Sequence, residues 1–211
     1  DVRNRYDALA RFFRAYFYFE KIKRFGDVPW YSKPIGSADP ELKRPRDSRE
    51  YVMQRMIEDI DFAIRYLPTK HDLYRITKWT ALALKSRFCL FEGTFRKYHG
   101  IADETIDGVT ISADYFLQLA ADAAWAVMEQ NKYSLYKGNT LKLDAPYREY
   151  FILEDGDAKE TILSMRFNAD ILVRHGIQFT FRNMRHSATQ RLVNHYLMAD
   201  GSKIQDQPGY E

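Results

Sequence analysis

A single cysteine, Cys89, occurs in the 211 residues, which excludes an internal disulfide and a multi-cysteine zinc site. No apolar run approaches the ~20 residues that a membrane-crossing helix needs. An excess of one charge is missing as well: 32 basic residues face 29 acidic ones, and the two signs interleave to leave a net +3. A nucleic-acid surface needs basic residues massed on one face, so no nucleic-acid partner is expected. Histidines 71, 99, 175, 186 and 195 show no HExxH or related ligand spacing. There is no glycine-rich phosphate loop and no GxSxG elbow. The acidic run "LEDGDAKE" (153–160) departs from calcium-loop spacing, with Lys159 where an oxygen ligand is required, and reads as an exposed acidic turn. Neither a metal nor a cofactor is expected. Glu58, Asp59 and Asp61 offer carboxylates, but helical spacing puts them mainly on a solvated face, whereas glycosidase chemistry needs two carboxylates facing one another. The chain opens on "DVRNRY" and stops at "QPGYE". It reads as a piece of a longer, processed protein, so missing targeting signals carry no weight.

What the chain has is helical periodicity. Residues 4–24 carry Leu9, Phe12, Phe13, Tyr16, Phe17, Phe19 and Ile22 around most of a helix, which predicts packing on several sides. Phe25-Gly26 ends this helix and Pro29 prevents its resumption. A loop with prolines at 34, 40 and 45 follows. Asp47, with Glu50 three residues later, predicts a capping box for a second helix. That helix carries Met53, Met56, Ile57, Ile60, Ala63, Ile64 and Leu67 at 3.6-residue spacing until Pro68. A third helix spans about 77–98, with Ala81, Leu84, Phe88, Phe91 and Phe95 on one stripe, Cys89 within it and Gly100 as its stop. A fourth begins at Ser112, where Ile111 and Phe116 are spaced as a hydrophobic staple and four alanines permit close approach by a neighbour. The later chain is less regular: a short helix at 146–151, a strand at 160–167, a long loop to His186, and a helix opened by Ser187 with Gln190 and ending at Met198-Ala199-Asp200-Gly201.

These elements predict a mainly α fold of tetratricopeptide-like helical hairpins, with an irregular, partly β late segment. The tetratricopeptide signature and its 34-residue period are absent. One partial domain is expected, with the helical array over 1–136 and the irregular part, holding a short hairpin and a helix, over 137–211.

The aromatic content, 15% of residues, supplies the candidate site. Trp30 and Tyr31 ride on the turn "FGDVPW" (25–30). Phe179 and Phe181 occupy the late loop with Asn168, Arg174, Arg182 and Asn183. Rings of this kind stack on the apolar faces of sugars, while Asn and Arg bond hydroxyls. Two alternatives stand beside this reading. Trp30 is as well suited to capping the core, and packing is the preferred role. "IQFTF" (177–181) can pair with "ILSMRF" (162–167) as a β-hairpin, turning Ile177, Phe179 and Phe181 towards the core; the hairpin is the preferred form of that segment.

Four ordered stretches resemble the SusD/RagB family of nutrient-binding outer-membrane lipoproteins: "ALARFFRAYFYFEKIKRFGDVPW" (8–30), "RPRDSREYVMQRMIEDIDFAIRYLP" (44–68), "RITKWTALALKSRFCLFEGTF" (75–95) and "LVNHYLMADGSKI" (192–204). The resemblance implies a non-catalytic, surface-exposed protein, held to the outer membrane by a lipid anchor outside this sequence. It further implies capture of glycan or peptide nutrients and their delivery to a SusC-type TonB-dependent transporter. It also assigns Phe25, Gly26 and Pro29 to a framework turn, and carries over no binding residue. A helical-repeat scaffold for protein partners and an all-helical glycoside hydrolase are the alternative readings.

The periodicity of the second helix yields a first expected outcome. Ile60→Ala costs ~2–5 kcal/mol through the cavity it leaves, whereas Glu58→Ala costs less than ~1 kcal/mol. Thermal melting of the two variants checks it, and equal shifts would show the helix to be facing the other way.

Overall fold

A computed structural model describes residues 2–138, 145–167, 176–183 and 187–210. The chain forms two compact units, 1–165 and 166–211. The first is built on four long helices: α1 (Val2–Phe25), α2 (Arg49–Tyr66), α3 (Lys78–His99) and α4 (Ala113–Met128). Each packs on its neighbour in chain order, α1 on α2, α2 on α3 and α3 on α4. This is the succession of helical pairs that periodicity predicts. A two-stranded antiparallel ribbon, β1 (Glu104–Ile106) and β2 (Val109–Ile111), connects α3 to α4. Its two-residue loop is Asp107-Gly108, both with positive φ (50° and 79°), the pairing that a twisted hairpin demands.

The helix ends follow from short polar side chains. Ser48 caps α2 by accepting from the Tyr51 N–H, Thr77 and Thr80 form a reciprocal capping box on α3, and Ser112 caps α4. The second helix therefore starts one residue later than the sequence pattern predicts, and Asp47 is not its cap. The reason is competition for the carboxylate, since Asp47 accepts from the Trp30 N–H at 2.7 Å and pairs with Arg44 at 3.0 Å. Glu50, freed from a capping role, pairs with Arg96. Gly100 ends α3 in the left-handed conformation, as expected.

The core joins Phe12, Phe19 and Ile22 of α1 to Met53, Met56 and Ile60 of α2, Phe88 and Cys89 of α3, and Ile111 with Phe116. Most of the predicted α2 stripe, Ala81, Leu84 and Phe88 of the α3 stripe and the Ile111–Phe116 staple are thus buried, whereas Ile64, Phe91 and Phe95 are half-buried. Two corrections concern polarity. Helix α1 buries one face only, and Phe13, Tyr16 and Phe17 are exposed on the other. Asp59, expected on the solvated side of α2, is buried because Arg14 reaches it with two bonds of 2.6 Å. The approach of α3 to α4 depends on Gly93: a methyl group there would lie 2.8 Å from Leu117 Cγ and 3.0 Å from the Ala113 carbonyl oxygen.

Across the interior runs a charged cluster that no hydrophobic pattern announces. Glu92, fully buried, accepts from Arg49 Nε at 2.8 and 3.1 Å and from Arg96 Nε at 3.1 Å. Arg49 lies over the Phe95 ring at 3.9 Å. Arg96 also donates to the carbonyls of Ala102 and Ile111 at 3.4 Å, tying the end of α3 to β2.

Helix α5 (Ala145–Ile152) belongs to the first unit and lies close to its predicted position. Residues 160–167 are not a strand. They attach to the α2–α3 connection instead, through Ser164 N–H to the Leu73 carbonyl (2.8 Å) and the His71 ring to the Thr161 carbonyl (3.0 Å). In the second unit Ile177–Asn183 is helix α6, so the expected pairing of 162–167 with 177–181 does not form. A helix satisfies its backbone locally, and β-branched and aromatic content fits either state according to context. The short helix α7 (Gln190–Val193) is capped by Thr189 rather than Ser187. It stops well before 198, where a tight turn through Gly201 lets Leu197 pair with Lys203. No described residue of this unit is buried.

The Glu92 cluster generates a stability test. Glu92→Ala leaves two guanidinium groups buried without their carboxylate and costs ~3–5 kcal/mol. The melting temperature of the variant reads this directly, and a shift equivalent to less than ~1 kcal/mol would mean that water or Glu50 alone neutralises the arginines.

Candidate functional site

The turn after α1 is built by side chains holding backbone. Gly26 takes a φ of 67°, which turns the chain away from the helix. Asp27 accepts from the Arg49 N–H at 3.0 Å, joining the turn to the start of α2. The Tyr18 hydroxyl donates to the Pro29 carbonyl (3.1 Å) and accepts from the Tyr31 N–H (2.7 Å). Burial pushes the Tyr18 phenol upward, which keeps its proton in place for that donation. Trp30 is 6% exposed, its ring 4.3 Å from that of Tyr18. Of the two roles open to Trp30, the structure gives it the packing one. Tyr31 differs: it is half-buried, with its hydroxyl fixed on the Glu41 carbonyl at 2.9 Å. Its ring is therefore held in position while part of it remains open to solvent.

Two grooves of the first unit meet Tyr31. The larger, about 510 Å³, is polar and runs along Asp7, Arg11, Arg14, Ser32 and Lys33. Its arginines are already engaged, because Arg14 grips Asp59 and Arg11 pairs with Asp7. The hydrogen bonds to Asp59 raise the Arg14 pKa above its ordinary value. The second groove, about 330 Å³, is lined by Phe17, Tyr18, Lys21, Phe25, Asp27, Pro29, Tyr31 and Arg46. Phe17 and Phe25 are 52% and 56% exposed. The Lys21 ammonium lies between them, 5.1 and 5.5 Å from the two ring centroids.

In the second unit, Phe179 and Phe181 are each 69% exposed on α6, beside Arg182 and Asn183. The Asn183 amide donates to the Phe179 carbonyl at 2.9 Å, so it closes its own helix turn. Asn168 and Arg174 lie outside the described residues. Elsewhere, Cys89 is a buried thiol pushed up to about 12 by burial, which suits packing rather than nucleophilic chemistry. Asp157 spends its carboxylate on the N–H groups of Lys159 and Glu160 (2.8 and 2.9 Å).

Residues 2–90 match the family model described as SusD-like, starch-binding associating with outer membrane. A crystal structure of a SusD-like protein from Bacteroides fragilis superposes with a TM-score of 0.59 at 25% identity, covering 79% of this chain and 28% of that one. Over residues 2–90 the chain is thus similar to the SusD-like family, and its fold resembles that of a SusD-like protein. A second solved structure, determined with xylogluco-oligosaccharide, has a TM-score of 0.54 at 22% identity over 79% of this chain and 30% of its own. The chain thus spans less than a third of the length of these two structures. No curated protein sequence matches it.

The region that matches the family model contains α1, the turn and both grooves beside Tyr31, whereas α6 lies beyond it. Tyr31 is the one sequence-derived candidate that lines a groove of the first unit. Sequence reasoning missed its companions Phe17, Lys21, Phe25 and Arg46. Phe17 was expected in the core and Phe25 in the framework of the turn. A usable signal existed: Phe17, Lys21 and Phe25 recur at four-residue intervals, which places them on one helix face.

Asp47 generates the test of this geometry. Asp47→Ala removes the acceptor of the Trp30 N–H and the partner of Arg44, at a cost of ~1–3 kcal/mol, and it loosens Tyr31. Ser48→Ala removes the actual cap of α2 for ~0.5–2 kcal/mol and leaves the turn intact. Proteolysis within residues 26–46 separates them, with faster cleavage expected for the Asp47 variant alone.

Proposed function

We propose that this chain is part of a non-catalytic binding protein of the bacterial outer membrane, surface-exposed and lipid-anchored, that captures oligosaccharides and passes them to a SusC-type TonB-dependent transporter. The observation that carries the proposal is the match of α1, the turn and α2 to a family described as starch-binding and associated with the outer membrane. The aromatic groove beside Tyr31 supports it, since a sugar is recognised by rings on its apolar face and by a few fixed polar groups at its edge. A non-catalytic role accords with the use of the interior carboxylates. Asp59 and Glu92 are buried in pairs with arginine, so neither is available to activate water or protonate a leaving oxygen.

Calorimetric titration of the protein with a panel including malto- and xylogluco-oligosaccharides tests the proposal. Saturable heat without release of reducing ends is expected, together with co-purification of a TonB-dependent transporter from native membranes. Release of reducing ends that is lost on neutralising an acidic pair would establish a hydrolase. Binding to protein partners with no response to any saccharide would establish a scaffold.

A further inference from the structure

We infer that the groove between the end of α1 and Tyr31 is a subsite for an acidic sugar, a pyranose bearing a carboxylate. The inference rests on the glycan-binding reading and specifies the chemistry of the ligand. Its first support is the walls. Phe17 and Phe25 project from α1 two turns apart with Lys21 between them, and both are more than half exposed, which makes a contiguous aromatic patch rather than a scattered apolar residue. Tyr31 closes the groove with a ring fixed through both its backbone N–H and its hydroxyl. Walls anchored in this way lose little freedom when a ring stacks on them.

The second support is charge. Lys21 and Arg46 both line the groove, and neither is in an ion pair among the described residues. This sets them apart from the arginines of the neighbouring polar groove, which are spoken for by Asp7 and Asp59. Asp27 is the one carboxylate among the lining residues, and it is committed to the Arg49 N–H at 3.0 Å. That N–H belongs to the first residue of α2, whose positive end offsets the Asp27 charge. A neutral sugar would leave both cations without a counter-charge. A uronate would place its C–H face on the aromatic walls and its carboxylate between Lys21 and Arg46. The volume of about 330 Å³ lies at the small end of ligand sites, ~300–1,000 Å³, and fits a terminal residue rather than a long chain.

The experiment compares trigalacturonate with a neutral trisaccharide, maltotriose, by calorimetry on the whole protein at 50 and 500 mM NaCl. Alongside the wild type it uses Lys21→Met combined with Arg46→Gln, both outside the core. At low salt the wild type is expected to bind the acidic trisaccharide at least ten-fold more tightly, and most of that margin disappears at high salt. The double variant should lose the same margin while keeping its melting temperature. Equal binding of the two saccharides, or an acidic preference that survives in the double variant, overturns the inference and leaves glycan binding standing. If neither these trisaccharides nor any member of the wider panel binds, the glycan reading falls and takes the subsite with it.

Discussion

The Glu92 carboxylate holds the first unit together at the point where three of its elements meet. It lies on α3, receives Arg49 from the first turn of α2, and receives Arg96 from one turn further along α3. Arg96 extends the network to Glu50 and to the carbonyl of Ile111 just before α4. A buried carboxylate without partners would cost far more than the helices gain by packing, so these contacts must form together. Their geometry then leaves little freedom in how α2 meets α3. The aromatic ring of Phe95 beneath Arg49 completes the cage from the apolar side.

The turn beside the groove depends on this arrangement at one remove. Arg49 is held from both ends, its side chain by Glu92 and its backbone N–H by Asp27. Asp27 belongs to the turn, so the cluster that aligns the helices also places the turn. Asp47 and Tyr18 then fix Trp30 and Tyr31 respectively. A buried Trp30 and a half-open Tyr31 are neighbours with opposite roles, one packed into the core and one offered to the groove. The opposite faces of α1 make the same division. Phe12 and Phe19 are buried in the core, whereas Phe17 and Phe25 face outward.

Much of the helical framework was legible in the residues. Period-3.6 stripes located α2 and α3, Gly100 and Pro68 marked their ends, and the Ile111–Phe116 spacing located the start of α4. Those signals are local, and local hydrogen bonds and burial of one face suffice to realise them. The hairpin at 104–111 is legible too, since "DG" between β-branched residues is a strong turn signal, a stronger one than any between 162–167 and 177–181. That second pairing does not form, because "IQFTF" closes hydrogen bonds within itself as a helix. The end of α7 was equally beyond the pattern, since the turn through Gly201 and the bridge from Leu197 to Lys203 stop it.

By itself, the sequence determined the helical class, the order of the elements, the buried stripes and the likeness to SusD-like proteins. All of these depend on residue type and spacing along the chain. Tertiary structure alone decided which polar groups go inside. Asp59 and Glu92 carry the same charge as the exposed Glu58, and what separates them is an arginine brought from another helix, Arg14 in one case and Arg49 in the other. It also decided which cations stay outside ion pairs among the described residues, because the pairing of Lys21 or Arg46 depends on where carboxylates such as Asp27 lie in space and where they are already bonded, and spacing along a single chain does not encode that distance.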